Sequence, residues 1–229
     1  VTGSFSGSTF TISGTPTQSG SFPYTITTSG GGCTQVTASG TITVNPNSAI
    51  SLTSAVGTTS QSVCLNSAIT SITYSVTGGG TGAGVTGLPT GVTGNFSGST
   101  FTISGSPSTL AGSPFGYTVT TTGGGCTQAS LGGTITVNAI PTSTPGGPTT
   151  VCQSATPSAF ALAGASVGAG ATTGAWAIVS GGGSLSSTAQ TASPATVTYT
   201  PAANFAGTAT LSLTTNTVSG CNTVANRTI

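Results

Sequence analysis

The chain has 229 residues and almost no charge: Arg227 is its single charged side chain, and it contains no Asp, Glu, Lys, His or Met. Soluble domains usually carry about a quarter charged residues, so this composition excludes whole classes of function. Nucleic-acid binding and electrostatic attachment to anionic lipid both need clustered Lys and Arg. No run of about 18 apolar residues predicts insertion into a membrane.

Catalysis is excluded on the same grounds. General acid–base catalysis needs a side chain that titrates near the working pH, and a Ser or Thr nucleophile needs a neighbouring base. Calcium and magnesium prefer carboxylate oxygens, and a zinc site needs cysteines spaced closely or histidines. The sequence offers none of these sets. It therefore predicts a protein that is not an enzyme and has no cofactor and no metal site.

Apolar residues alternate with Thr and Ser along the chain, which predicts an all-β fold of half-buried antiparallel strands. In the segment 100–104, Phe101 and Ile103 share one face, and Tyr117 and Val119 repeat this spacing. We expect these four side chains in the core. The same period of two returns at Ile135/Val137, Val197/Tyr199 and Leu211/Leu213.

Long internal repeats divide the chain into domains. The matching stretches are 1–14 with 92–105, Tyr24 with Tyr117, Cys33 with Cys126, and 40–45 with 133–138. The offset is 91 at the start of the repeat and 93 after the inserted loop near Pro107. A repeat of this length is a whole domain, too long for one rung of a solenoid.

The repeat boundaries predict three units. Residues 1–46 form the C-terminal part of a truncated domain, residues 47–138 form a complete one, and residues 139–229 form a third of divergent sequence. The sequence leaves open whether the last strand of the third domain is complete. Short strands with turn signals over about 90 residues are typical of immunoglobulin-like sandwiches. The Pro-rich linker 139–148 favours an extended arrangement, so we expect a rod of tandem domains.

The first unit is expected to lack half of its sandwich. Val1 aligns with Val92, so the unit has no counterpart of residues 47–91. Its apolar face would then have no opposing sheet within the chain, and residues 1–46 should not fold alone. We expect the missing strands to come from preceding sequence or from a neighbouring copy. The side chains concerned are Phe5, Phe10, Ile12, Tyr24 and Ile26.

The five cysteines suggest an oxidising compartment. One pair falls in the second domain and one in the third, so we expect disulfides Cys64–Cys126 and Cys152–Cys221, with Cys33 unpaired. Closing loops of this length stabilises a domain by roughly 4 kcal/mol in the chain-entropy model. Such bridges imply export from the cytoplasm. Buried free thiols are the alternative that the sequence leaves open.

Two further features could be mistaken for ligand sites. Trp176 alternates with Ile178, which favours a core tryptophan near the expected Cys152–Cys221 bridge over a sugar-stacking platform. The glycine-rich segments 78–84 and 123–125 resemble phosphate loops. Because no helix or Lys follows them, turns are the better interpretation.

Several motifs resemble known repeat families. The middle unit resembles the immunoglobulin-like repeat of large bacterial surface proteins, in particular giant adhesins of Bacteroidetes, through the segments 88–92, 101–107, 117–119 and 120–128. The third unit is similar to the PKD-like repeats of the same proteins through the segments 151–155, 175–176 and 197–207.

This resemblance implies an extracellular protein at the cell surface, exported by type IX secretion and in some members serving gliding motility. It implies as partners the neighbouring repeats of the same long chain, other copies in lateral or filament association, or the secretion and motility machinery. The chain departs from the family pattern in having no acidic residues. Calcium stiffening of the cadherin type, and glycosylation at Asp-Ser/Thr motifs, are therefore not carried over.

The sequence thus favours a structural stalk segment of a long surface adhesin or filament. A binding module is the alternative hypothesis, because outward Thr ladders resemble flat ice- or glycan-binding faces; ordinary β-propensity also explains them. A spacer carried by an enzyme is a third hypothesis. The ladders are Thr41/Thr43, Thr118/Thr120 and Thr134/Thr136.

Overall fold

The computed structural model describes residues 1–32, 34–124, 126–147 and 149–229; Cys33, Gly125 and Pro148 lie outside this description. The described chain is all-β, with strands connected by turns and two short 3₁₀ segments, Val56–Thr59 and Pro194–Thr196. This confirms the predicted fold class. The alternation of apolar and hydroxyl side chains sets it, since successive residues of a strand point to opposite faces.

The strands fall into three groups along the chain. Residues 1–46 hold β1 (Thr2–Ser6), β2 (Thr9–Ser13), β3 (Gly20–Thr27) and β4 (Thr37–Val44). Residues 47–138 hold β5 (Ser48–Leu52), β6 (Ser60–Cys64), β7 (Ile72–Gly78), β8 (Gly82–Thr86), β9 (Val92–Ser97), β10 (Thr100–Gly105), β11 (Phe115–Thr122) and β12 (Ser130–Asn138). Residues 139–229 hold β13 (Thr142–Thr144), β14 (Phe160–Ala161), β15 (Ser166–Gly168), β16 (Gly174–Ser180), β17 (Gly183–Leu185), β18 (Thr198–Pro201), β19 (Thr210–Thr215) and β20 (Val224–Thr228).

The middle domain, residues 47–138, is a two-sheet sandwich. One sheet has the strand order β5-β7-β10-β9 and the other the order β6-β12-β11-β8. The described pairings are antiparallel except for β6 with β12, which run parallel with Ser60 opposite Thr134 and Cys64 opposite Asn138. This division of eight strands between two sheets is that of an immunoglobulin-like sandwich. The predicted immunoglobulin-like fold is therefore confirmed by the topology of this domain.

The middle-domain core lies between these sheets. Phe101, Ile103, Tyr117 and Val119 are all buried there. The hydroxyls of Tyr74 on β7 and Tyr117 on β11 hydrogen-bond each other at 3.0 Å, so each satisfies the other away from water. Burial, followed by the contact with Tyr74, raises the pKa of Tyr117 above its ordinary value.

The third domain, residues 139–229, has shorter strands around a second core. Its sheets have the orders β14-β18-β17 and β16-β19-β20, with β13 and β15 forming a separate pair. Trp176 is buried in this core beside Leu211 and Leu213, and its indole Nε1 donates a hydrogen bond of 2.9 Å to the carbonyl oxygen of Pro194. The last strand, β20, pairs with β19 from Val224 to Thr228.

Arg227 on β20 is buried despite being the only charged side chain. Its Nη1 donates to the carbonyl oxygens of Pro145 and Ala163 at 3.3 and 2.9 Å, and its Nη2 donates to Thr149 Oγ1 at 2.7 Å. Burial lowers its pKa. The guanidinium thus fastens two connecting segments to the last strand, a structural role that the sequence pattern did not reveal.

The N-terminal unit, residues 1–46, consists of two separate hairpins. β1 pairs with β2, and β3 pairs with β4 over eight positions. Phe10 is 42% exposed and Tyr24 is 37% exposed, whereas their repeat counterparts Phe101 and Tyr117 are each 2% exposed. The same apolar face that forms a core in the middle domain is therefore open to solvent here.

Thermal stability is expected to be independent of pH between about pH 4 and pH 7. The chain has no carboxylate or imidazole side chain, so folded and unfolded states bind the same number of protons there. Burial raises the folded-state pKa of Tyr117 and of Tyr199. An unfolded tyrosine loses its proton near pH 10, so stability should fall as pH rises above that value. Melting curves at pH 4, 7 and 11 test this; a difference above about 4 °C between the first two, roughly 1 kcal/mol, would contradict it.

Candidate functional site

A disulfide joins the middle domain to the third domain. Cys64 is the last residue of β6, and Cys221 lies in the turn between β19 and β20. Their Cα atoms are 5.8 Å apart and they are separated by 157 residues in sequence. Beside the bond, Asn138 Nδ2 donates to the carbonyl oxygen of Ser219 at 3.2 Å and to Ser62 Oγ at 2.7 Å. The last residue of the middle domain thus touches the turn that presents Cys221.

The predicted pairs Cys64–Cys126 and Cys152–Cys221 are wrong. Cys64 lies opposite Asn138 at the end of β12, whereas Cys126 precedes the first residue of that strand. A nine-residue strand separates its ends by roughly 26 Å at about 3.3 Å per residue. Disulfide Cα atoms lie within about 7 Å of each other, so the first pair cannot form. Cys126 and Cys152 are both free, and the prediction for Cys33 falls outside the described residues.

A second junction connects the N-terminal unit to the middle domain. The Cys126 thiol donates a hydrogen bond of 3.3 Å to the carbonyl oxygen of Asn45. Next to this contact, within the middle domain, the backbone N–H of Ser48 donates to the carbonyl oxygen of Thr127 at 3.1 Å, and that of Gly79 to the carbonyl oxygen of Asn47 at 3.1 Å. The loop between β11 and β12 therefore packs against the end of the preceding unit.

The glycine-rich segments contribute to this second junction. A Cβ atom at Gly79 would collide with the carbonyl oxygen of Pro46, and one at Gly124 would collide with the carbonyl oxygen of Gly79. Gly124 also has a φ of +74°, which favours glycine. The interpretation as turns holds for residues 79–81 and 123–124, whereas Gly78 ends β7 and residues 82–84 belong to β8. Gly125 lies outside the description.

The two junctions are built from equivalent parts. Asn45 and Asn138 close their repeats at matching positions. Cys126 and Cys221 each lie in the loop between the last two strands of their domain. Cys152 lies in a cleft of about 300 Å³ that also includes Ile229, near the end of β20, as Cys64 lies near the end of β12. The middle and third domains thus each carry one cysteine near each end.

The open face of the N-terminal unit forms a groove between its hairpins, which we name the acceptor groove. The cavity has a volume of about 470 Å³ and is lined by apolar side chains of β2, β3 and β4, among them Phe10, Ile12, Tyr24, Ile26 and Val44, with Thr2 and Gly3 of β1 at its side.

Trp176 and the threonine ladders of the middle domain are the two features that a ligand-binding module could use. Trp176 is 1% exposed, so it offers no stacking platform. On the sheet that carries the middle-domain ladders, Thr118 is paired with Gly132 and Thr134 with Gly116. On their other sides Thr118 lies opposite Thr86 and Thr134 lies opposite Ser60, so glycines interrupt the rows of hydroxyl side chains at these two positions between β11 and β12.

No helix in the part of the chain that the structure describes is long and apolar enough to cross a membrane. No protein-family model matches the sequence, and no curated protein matches it. Solved structures that resemble it include the titin I-band fragment I67–I69, with 11% identity, TM-score 0.36 and coverage of 80% of this chain and 62% of that one.

Two further solved structures resemble the chain at similarly low identity. The tandem Ig repeats of Dlar match with 11% identity and TM-score 0.31, covering 81% of this chain and 97% of that one. The protocadherin GammaB4 extracellular domain matches with 12% identity and TM-score 0.38, covering 91% of this chain and 37% of that one. The chain thus spans about a third of the protocadherin and under two thirds of the titin fragment.

Proposed function

We propose that this chain is a non-catalytic, tension-bearing stalk segment of a long cell-surface protein. The observation that carries this proposal is the disulfide between Cys64 and Cys221, which joins consecutive sandwich domains covalently. Consecutive domains connected only by a flexible linker reorient by default. A covalent second connection at their junction restricts that motion, which suits a spacer that must hold a tip away from a surface.

The disulfide also shortens the path along which tension passes. A force applied at the chain ends passes from Cys64 directly to Cys221 and bypasses the residues between them. Most strands of the middle domain and the third domain lie within this loop, so tension would not pull them apart. A stalk built in this way shields β7 to β19 from tension, whereas β5, β6 and β20 remain on the loaded part of the chain.

The disulfide between Cys64 and Cys221 also bears on where the protein is located. Disulfides persist in oxidising surroundings, which favours an extracellular location. Because the chain has almost no charge, its association with other proteins must rest on apolar faces and strand edges. The partners that fit this requirement are neighbouring repeats and other copies of the chain. The sequence resemblance to Bacteroidetes adhesins, with type IX secretion and gliding motility, belongs to this proposal.

Single-molecule extension of the full chain tests the stalk proposal. Reduction, or Cys64→Ser, should lengthen the fully extended chain by roughly 520–570 Å, because about 157 residues at 3.3–3.6 Å each are released from the loop. Cys152→Ser removes an exposed free thiol and should leave the extended length unchanged. Equal extended lengths before and after reduction would contradict the proposed force path.

A further inference from the structure

We propose that the acceptor groove of residues 1–46 takes a donor segment patterned like residues 47–91, and that Cys126 forms a disulfide with the donor's cysteine. The donor pattern is uncharged and supplies four strands equivalent to β5, β6, β7 and β8. This inference goes beyond the stalk role, because it identifies the partner of an open surface. Its test is independent of the proposed passage of tension through the Cys64–Cys221 disulfide.

The first support is the identity of the open face. In the middle domain, residues 92–138 pack against residues 47–91 to form the core. The N-terminal unit repeats the buried residues of that half at matching positions, with Ile26 in place of Val119. The matching residues are Phe10, Ile12, Tyr24, Ile42 and Val44 for Phe101, Ile103, Tyr117, Ile135 and Val137. The acceptor groove therefore carries the side chains needed to pack against a segment like residues 47–91.

The second support is the state of the strand edges. In the middle domain β10 pairs with β7, β11 with β8 and β12 with β6. The equivalent strands β2, β3 and β4 pair only within their own hairpins among the residues that the structure describes. The backbone donors and acceptors of these edges are thus placed for β-augmentation, in which added strands supply main-chain hydrogen bonds.

The numbers of acceptor and donor segments within residues 1–229 indicate which segment fills the acceptor groove. The chain contains two acceptor halves, residues 1–46 and 92–138, but a single donor, residues 47–91, which already covers the second acceptor. Exchange of donors between copies would fill one acceptor and empty another. The groove is therefore completed by a further donor of the same pattern and not by a swap between copies of this chain.

The third support is the position of the cysteines. In the middle domain Cys64 lies opposite Asn138, next to its disulfide partner Cys221. A donor docked in the same register would place its cysteine opposite Asn45. Cys126 already lies there, with its thiol 3.3 Å from the Asn45 carbonyl oxygen. The docked donor would thus build, between the N-terminal unit and the middle domain, the kind of bond found between the middle domain and the third domain.

The covalent step is a thiol–disulfide exchange with a small disulfide oxidant such as oxidised glutathione. One thiolate attacks the oxidant and forms a mixed disulfide, releasing one reduced thiol. The second thiolate then attacks the protein sulfur of that mixed disulfide and releases the other reduced thiol. The two protein thiols lose two electrons and two protons in total, and the oxidant gains them.

An extended chain tests the inference, with a second copy of residues 47–91 placed ahead of Val1 in a glutathione redox buffer. The added copy carries Ser60→Thr at an exposed position, so that its cysteine peptide differs in mass from that of Cys64. Peptide mapping without reduction should find the added copy's cysteine bonded to Cys126. Amide hydrogen exchange in β2 and β3 should slow at least tenfold relative to the parent chain. With Cys126→Ser the slower exchange should persist, because docking rests on the groove and the bond follows it.

The matched control carries Tyr74→Ser and Val76→Ser in the added copy only, which removes two core side chains but keeps the cysteine and the length. It should show neither the bond nor the slower exchange. Unchanged exchange in β2 and β3 of the extended chain, or an equal yield of the Cys126 bond in the control, would overturn the proposal. Protection of β11, whose sequence occurs once in the extended chain, verifies in each sample that the middle-domain fold is intact.

Discussion

Phe101→Ala is expected to destabilise the middle domain by about 3–5 kcal/mol, whereas Phe10→Ala should change stability by less than about 0.5 kcal/mol. The two phenylalanines occupy the same position of the repeat, in almost identical sequence. Phe101 is buried between two sheets, so its removal leaves a cavity, and Phe10 already faces solvent. Calorimetry of the full chain should show the middle-domain transition lowered by more than about 10 °C in the first variant only.

Comparing the stability losses of these two variants separates the effect of core packing from the effect of amino-acid composition. Both remove the same atoms from the same local strand sequence, so the unfolded states change equally. Equal losses at the two positions would contradict the structure, because they would mean that the N-terminal unit already has a covering layer. A loss at Phe10 that appears only after a donor segment is added would instead agree with the acceptor groove.

Cys64→Ser is the second variant with a large expected effect. In the chain-entropy model, a bridge across about 157 residues contributes up to about 5 kcal/mol, shared between the two domains that it links. Its loss should lower the melting temperatures of both domains, and Cys221→Ser should do the same. Thermal unfolding under non-reducing conditions, followed by calorimetry, measures both transitions.

The free cysteines supply the control for this variant. Cys126→Ser and Cys152→Ser remove thiols that take part in no disulfide and should leave both transitions nearly unchanged. Destabilisation by Cys126→Ser equal to that by Cys64→Ser would contradict the pairing seen in the structure, since it would indicate a bond between those two residues within the middle domain.

The strands and the core of this chain were predictable because their signal is local. Alternation with a period of two assigns each residue to a face of its strand, so Phe101, Ile103, Tyr117 and Val119 could be placed in the core. The repeat then carried this assignment to residues 1–46 and predicted their apolar face. Trp176 followed from the same alternation with Ile178, and the structure buries it.

The junctions were not predictable because their signal is not local. Sequence position shows that Cys64 and Cys126 belong to one domain, but not that they lie at opposite ends of β12. The one clue was the repeated placement of a cysteine near each end of a domain, which suits bonds between neighbours. Arg227 was missed because its carbonyl partners at Pro145 and Ala163 are more than 60 residues away in sequence.

The connectivity of Cys64 is the measurement that tests the central claim most directly. Trypsin would cleave only at Arg227, so the unreduced chain should be digested with an enzyme that cleaves after both aromatic residues and leucine, and analysed by mass spectrometry. Cleavage at Leu52 separates Cys33 from Cys64, and cleavage at Leu131 separates Cys126 from Cys152. The structure predicts a peptide that contains Cys64 joined to one that contains Cys221. A peptide with Cys64 joined to Cys126, or Cys152 joined to Cys221, would contradict a covalent connection between consecutive domains.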